Sequence, residues 1–361
     1  MSDQDAARGG SAGPRGAYAI ERSRIDDWVS TVLALGEVIA PMAGHGGDVL
    51  YAPVETPDQV LWEFDNSLHP PKEVLLPQTD PLFEIRGERS GWQVAAVRPR
   101  EPRILLNARS CDASGIRFLR GVHEEDLRDS AYLRRDADLT VVSLSCPQPC
   151  SQGFCICCDA GPFLDDGFDV QLTDLGEVLL AEVGSAKGEA LVRTSDGLFR
   201  PASEQELSRR RMLEAVAIDS FGESTCHFGS AMRRISTGRV VEALWDTMSD
   251  WCFECGACTL VCPTCYCFSI KDRQSGGGWQ RCRMWDSCQY GAFTLEASGH
   301  NPRPHRKDRV KRRFYHKVSA QYYLRDGTVG CVGCGRCVTV CLGTTDMPAV
   351  VTAIRKGVWN G

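Results

Sequence analysis

Apolar positions along the chain follow two periods. From Glu21 the spacing is helical: Ile25, Trp28, Val29, Val32 and Leu33 fall on one face, with Ser23 placed as an N-cap and Gly36 as a stop. Strand-like runs follow at Asp48–Ala52 and Val60–Phe64. The Pro-rich Pro70–Leu76 then reads as a loop leading to an extended stretch near Leu82–Ile85. Ile104–Asn107 and Leu139–Leu144 are apolar enough to be buried strands, with a helix-like segment at Ala113–Leu119 between them. Val178–Val183 reads as another strand. Helical spacing returns over Glu204–Asp219 and over Val240–Met248, where Val240, Val241, Leu244, Trp245 and Met248 share a face that core packing explains.

These elements divide the 361 residues into a polar tail (1–18), a mixed α/β domain (19–203), a helical connector (204–251) and a cysteine-rich C-terminal domain (252–361). No apolar run approaches the roughly 18–20 residues that span a bilayer, and the first 18 residues lack the apolar stretch of a secretory signal. A cytoplasmic protein without a membrane anchor is expected.

Nineteen cysteines change the picture. In a leaderless chain of this size they point to metal ligands in a reducing compartment rather than to disulfides. Cys252, Cys255, Cys258 and Cys262, followed by Pro263, form the run C-x2-C-x2-C-x3-C-P. Cys331, Cys334, Cys337 and Cys341 repeat all four positions 79 residues later. Three closely spaced thiolates wrap three corners of one four-iron cubane, and the fourth reaches the other cubane in proteins with two such runs. The expected ligand sets are therefore Cys252, Cys255, Cys258 and Cys341 for one [4Fe-4S] cluster, and Cys331, Cys334, Cys337 and Cys262 for a second. A zinc ribbon would instead show two C-x2-C pairs across a spacer. The fold class expected is α+β: the mixed α/β domain, then a largely helical, ferredoxin-like domain for two [4Fe-4S] clusters with a long insertion of 68 residues.

The net charge of −6 conceals an asymmetry: residues 252–361 carry +9 and residues 1–251 carry −15. Within the insertion, Asn301–Lys317 holds eight Lys/Arg and one Asp. A basic half can mean nucleic acid. Here, compensation of anionic clusters is the preferred reason, and with Phe314 and Tyr315 as its only aromatics the run is poor for base stacking. A solvated surface strip and a charge-matched docking surface are the other readings of the run.

Several motifs are missing. No G-x-G-x-x-G follows a strand and no G-x-x-x-x-G-K-[ST] occurs, so a nucleotide-handling partner is expected elsewhere. His45 reads as a loop residue, and the adjacency of Cys226 and His227 does not make a catalytic dyad, whose members meet in space. No catalytic residue is expected.

Beyond the two repeats, the residues resemble a known family. Val261-Cys262-Pro263-Thr264-Cys265-Tyr266-Cys267, Trp285-Asp286-Ser287-Cys288, Gly299-His300-Asn301-Pro302-Arg303, His316-Lys317 and Cys331-Val332-Gly333-Cys334-Gly335-Arg336-Cys337 carry the likeness. It extends N-terminally through Pro71–Pro77, Arg109-Ser110-Cys111-Asp112, Tyr132-Leu133-Arg134-Arg135 and Asp166-Gly167-Phe168-Asp169. Together they resemble the iron–sulfur beta subunit of cytoplasmic NAD(P)-linked nickel–iron hydrogenases (sulfhydrogenases), with the corresponding iron–sulfur protein of anaerobic sulfite reductase as a near relative. The resemblance implies electron transfer between a flavoprotein subunit that binds FAD and handles NAD(P)H and a catalytic subunit, of a NiFe hydrogenase or another reductase. Leu342 stands where the family pattern has proline after the last cysteine, and Cys150 and Cys158 crowd the N-terminal cysteine group.

That group suggests a third cluster. If the strands at Ile104–Asn107 and Leu139–Leu144 are parallel neighbours, Cys111 and Cys146 emerge on one sheet edge, and the loop Cys150–Cys158 closes over it. Cys111, Cys146, Cys155 and Cys157 are the expected ligands, with Cys150 or Cys158 as substitutes. The alternative group is Cys265, Cys267, Cys282 and Cys288, whose bland reading is packing around the first cluster.

Overall fold

A computed structural model describes residues 15–88, 91–97, 102–125, 128–195, 197–222, 226–323 and 327–359. Its strands are, in chain order, β1 (Gly16–Glu21), β2 (Glu37–Ala43), β3 (Val49–Val54), β4 (Thr79–Glu88), β5 (Gly91–Ala96), β6 (Arg103–Arg109), β7 (Leu139–Leu144), β8 (Val170–Asp174), β9 (Val178–Val183), β10 (Arg200–Pro201), β11 (Phe268–Ser275) and β12 (Gly278–Trp285). Eight of them form one sheet in the order β10-β1-β9-β8-β7-β6-β2-β3. The centre, β2-β6-β7-β8, is parallel, and both margins are antiparallel.

Both faces of this sheet are buried, which is why β6 and β7 read as predominantly apolar runs. Ile104, Leu106 and Val142 face a core closed by α1 (Ile25–Leu33) and residues Leu191 and Val192. Leu105 and Val141, one position out of phase, face the opposite core, with Ile116, Phe118 and Leu119 of α2 (Ser110–Glu125) and Tyr132 of α3 (Ser130–Ala137). On the first side, Leu191 and Val192 belong to α4 (Ala186–Thr194), whose N-cap Ser185 accepts from the Lys187 and Gly188 amides.

The second sheet, β11-β12-β4-β5, joins regions far apart in the chain. β4 and β5 precede β6, whereas β11 and β12 come from the insertion between the cysteine repeats. β12 pairs antiparallel with β4, with an irregularity between Arg281 and Cys282. Beneath it, the fully buried Asp80 accepts from Arg283 at 2.7 Å and from Arg135 at 3.0 Å. A charge at such depth needs these partners, because an unpaired buried ion costs several kcal/mol. The N-terminal half and the insertion are thereby held by one ladder and one charge network.

The remaining helices are α5 (Glu204–Asp219), α6 (Phe228–Ser236), α7 (Glu242–Asp250), α8 (Ala257–Leu260), α9 (Arg306–Val318), α10 (Arg336–Val340) and α11 (Met347–Lys356). α6, α7, α9 and α11 bury Ile235, Trp245, Phe314 and Val350 in a third core that includes Cys111, Cys155, Cys158 and Cys334.

Four local readings of the sequence need correction. β1 starts at Gly16, inside the stretch taken as tail; residues 1–14 of that stretch lie outside the described residues. Val60–Phe64 is not a strand: Asn107 Nδ2 donates to the Leu61 carbonyl at 2.9 Å and Arg109 to that of Phe64, so side chains replace a ladder. Ser23 does not cap α1; it lies in a 3-10 turn that precedes the helix. Val241 precedes α7 and is 63% exposed, leaving Val240, Leu244, Trp245 and Met248 as the buried set.

Candidate metal centres

Each cysteine repeat folds as a loop running into a short helix, and the turn between them is made by a glycine. Gly256 (φ 74°) and Gly335 (φ 75°) occupy equivalent positions at the starts of α8 and α10, in the left-handed region that side chains rarely adopt. Space forbids a side chain as well: a Cβ on Gly256 would lie 2.7 Å from the Tyr290 ring, and one on Gly335 would lie 2.2 Å from the Gln152 carbonyl.

The first repeat supplies Cys252, Cys255 and Cys258 to a small cavity, and the second repeat supplies Cys341 to the same cavity. Arg313, Gln289, Thr345 and Glu254 also line it. The Cys252 sulfur lies 4.0 Å from Gln289 Oε1, and the Cys341 sulfur 3.8 Å from Thr345 Oγ1. Burial pushes the Cys258 thiol up to about 12, against the pull of Arg313. This site opens to solvent. Cys255 is exposed, as are Phe253 (69%) and Leu342 (84%) at its rim.

The second repeat places Cys331, Cys334 and Cys337 around Cys262, whose charge acts on all three. Burial pushes Cys337 up to about 11. Cys262 moves the other way: a hydrogen bond from Cys265 draws it well down, with burial opposing and Lys317, Thr264 and Lys72 assisting. Thr264 Oγ1 stands 3.2 Å from the Cys262 sulfur and donates to the Gly330 carbonyl at 2.7 Å.

Buried cations flank the two sites, in keeping with charge compensation as the preferred reading of the basic half, but sequence reading did not single out which of them turn inward. Arg309, Arg313 and Lys317 lie at i, i+4 and i+8 on α9, and all three are buried. Arg309 pairs with Glu254 of the first loop. Arg313 faces sulfurs of both repeats; burial opposes its charge, but Cys258 and Cys337 hold it well above the usual range. Lys317 Nζ donates to Thr264 Oγ1 at 2.6 Å and to the Thr264 carbonyl at 3.0 Å. Burial opposes its charge too, and the Cys262 and Cys265 sulfurs more than offset that. Lys72 Nζ donates to the Cys262 and Cys265 carbonyls at 2.8 and 3.0 Å. The signal for α9 was available: Val310, Phe314 and Val318 share its buried side with those cations.

The other cysteines fall into groups of their own. Cys111, Cys146, Cys150 and Cys155 line one cavity, together with Cys334 of the second repeat. Cys157 is not among them; it faces Cys226 and Cys158, and Cys158 is hydrogen-bonded to Cys331. In the insertion, Cys265 is hydrogen-bonded to Cys262 and Cys267 to Cys288. Cys282 stands apart, buried in β12 with its sulfur 4.0 Å from the Gln280 carbonyl.

Among the described residues, no three His, Cys, Asp or Glu side chains converge on a point that could hold a single metal ion. Cys252, Cys255, Cys258 and Cys341 instead line one cavity, and Cys111, Cys146, Cys150 and Cys155 another, as ligands to the separate corners of a cubane must. Soft thiolates in fours, flanked by buried cations, fit an anionic iron–sulfur cluster.

Comparison with known proteins agrees with this chemistry. Residues 251–345 match a family described as a 4Fe-4S dicluster domain. Over 330 residues the chain is 30% identical to sulfhydrogenase 2 subunit beta of Pyrococcus furiosus, a match covering 90% of this chain and 93% of that protein. Among the described residues no helix is long and apolar enough to cross a membrane.

Proposed function

The chain belongs to the iron–sulfur beta-subunit family of the hydrogenases, and on that premise we propose that it relays electrons between a flavoprotein subunit handling NAD(P)H and the catalytic subunit of a nickel–iron hydrogenase. It is an electron-transfer iron–sulfur subunit whose C-terminal domain is built for [4Fe-4S] clusters. A four-iron cluster supplies one-electron chemistry, so this chain's residues need only hold, insulate and tune. In the proposed ligand sets, Cys252, Cys255, Cys258 and Cys341 serve one cluster, and Cys331, Cys334, Cys337 and Cys262 the other.

One observation carries the reading: Cys341 of the second repeat lines the cavity of the first, beside Arg313, which faces sulfurs of both. Two sites that share a ligand-bearing helix pair and a cation are adjacent, as stations of one relay must be. Lys317 and Lys72 add positive charge on the side of Cys262, which favours a reduced, more negative cluster there. The exposed rim of the first site suits exchange with a partner, while the second site is the more enclosed.

Anaerobic co-purification tests the partners. A flavoprotein and a nickel-containing subunit should accompany the chain, and electrons from NADH or NADPH should reach its clusters only when the flavoprotein is present. Rapid NAD(P)H oxidation by the isolated chain, or its recovery with sulfite reductase subunits instead, would reject this assignment.

A further inference from the structure

We propose that Cys111, Cys146, Cys150 and Cys155 hold a third four-iron cluster, seated at the carboxyl edge of the parallel strands and against the second cysteine repeat. Its use as a further relay station rests on the electron-transfer reading above; its existence does not.

The four thiols reach one place by four routes. β6 and β7 are parallel neighbours, so their C-terminal ends lie at one edge. Cys111 stands in the first turn of α2 directly after β6, and Cys146 stands two residues beyond β7. The chain then turns at Cys150, whose carbonyl accepts from the Gly153 amide at 3.1 Å, and Cys155 opens a 3-10 turn over Cys155–Cys158. The sulfurs of Cys146 and Cys150 act on Cys155, and that of Cys155 on Cys111, so the group is mutually close.

These thiols surround space rather than filling it. The cavity they line measures about 300 Å³. A cysteine used as core filler packs against neighbours, whereas these four thiols share the wall of an open volume with Trp62, Arg109 and the carboxylates Glu63, Asp65 and Asp174. Open α/β sheets present such crevices at the carboxyl ends of their strands, where ligands bind.

An independent observation points to an anionic occupant. Arg109 lines the same cavity and is 8% exposed. Its guanidinium lies over the Phe64 ring and donates to the Phe64 carbonyl, yet its Nε finds no hydrogen-bond partner among the described residues. A buried, unmet N–H is destabilising unless something accepts it. Cluster sulfide or thiolate is such an acceptor. A second buried cation, Arg336, pairs with Asp112 at 2.7 and 2.9 Å and faces both Cys334 and Cys111.

Contact with the second repeat is direct. Gly333 stands where any Cβ would come within 2.6 Å of the Cys155 backbone, and Cys334 lines the cavity itself. Cys157, the fourth ligand expected from the sequence, is replaced by Cys150.

The test is a count of iron and acid-labile sulfide on the full chain, purified and reconstituted anaerobically, with electron paramagnetic resonance of the reduced protein. Wild type should hold about twelve irons and Cys157→Ser the same, at about four per cubane. Cys146→Ser and Cys150→Ser, read separately so that one unfolded variant leaves the other informative, should each drop to about eight and keep the signals of both repeats. A wild type saturating at about eight irons overturns the proposal, as does zinc in the ring, or a drop in Cys157→Ser with none in the other two. A wild type lacking the signals of the two repeats would instead sink the electron-relay reading.

Discussion

The two cysteine repeats are equal in spacing and unequal in surroundings. In the first, Cys255 is exposed and the rim carries Phe253 and Leu342. In the second, Cys334 is buried, and Cys262 beside it lies near Lys317 and Lys72. Spacing therefore decides what can be bound, and the walls decide how it behaves. Solvent access and hydrogen bonds to sulfur set cluster potentials over a wide range. Two identical motifs can thus give two different stations.

The largest break in this comparison comes from exchanging a thiol between the repeats. Cys262→Ser should disturb the spectrum of the enclosed second site, although Cys262 belongs to the first repeat, and iron should fall by about four per chain. A change confined to the signal of the exposed site would show that each repeat supplies its own fourth ligand.

Next in size is Lys317→Met, which removes a cation from the enclosed site alone. Stripping one partner from a buried charge group costs about 3–5 kcal/mol. A large loss of melting temperature is expected, together with a lower potential for the second site and little change at the first. Equal shifts at both sites would place Lys317 between them, as Arg313 is.

Acid should act on the fold beside the sites, through the core behind the large sheet. His123 stacks on Tyr132 and lies edge-on to Tyr266, which comes from the loop after the first repeat. Burial, partly offset by Asp129, lowers its pKa from 6.5 to about 4. The unfolded chain takes up that proton first, so stability is full above about 6.5 and declines as pH falls toward about 4, by about 3 kcal/mol in all. In His123→Gln, the pH dependence of chemical denaturation over that window should flatten. An unchanged slope would remove His123 from the account.

The smallest effect belongs to the exposed rim. Leu342→Ala should alter stability by no more than about 0.5 kcal/mol and leave iron content unchanged, as surface changes do. A larger loss in a thermal melt would mean that Leu342 is part of the packing at the first site.

How far each feature was legible depended on the range of the interactions that fix it. The cysteine repeats are local patterns, so spacing alone showed them. β6 and β7 were also readable, because burial on both faces makes a strand predominantly apolar. The pairing of β4 with β12 was not, since it joins residues such as Ile85 and Trp279 that no local pattern connects. Val60–Phe64 carries strand composition yet gives its carbonyls to Asn107 and Arg109. Composition also framed α9 as a charged surface, a docking face or a charge balance. Only its register shows that Arg309, Arg313 and Lys317 point inward. Cys150 reads from the sequence only as a substitute, because Cys157 sits closer to Cys155 along the chain while the turn swings Cys150 to the cavity.

The sharing of thiols between repeats also has a bearing on how the protein is made. The cavity of the first repeat is walled in part by Cys341, which leaves the ribosome 79 residues after Cys262. While synthesis is in progress, Cys252, Cys255 and Cys258 lack that part of their wall, and the cations of α9 have no sulfur partner from the later repeat. In the proposed ligand sets, a nascent chain stalled before Cys341 would therefore hold Cys252, Cys255 and Cys258 without their fourth thiol.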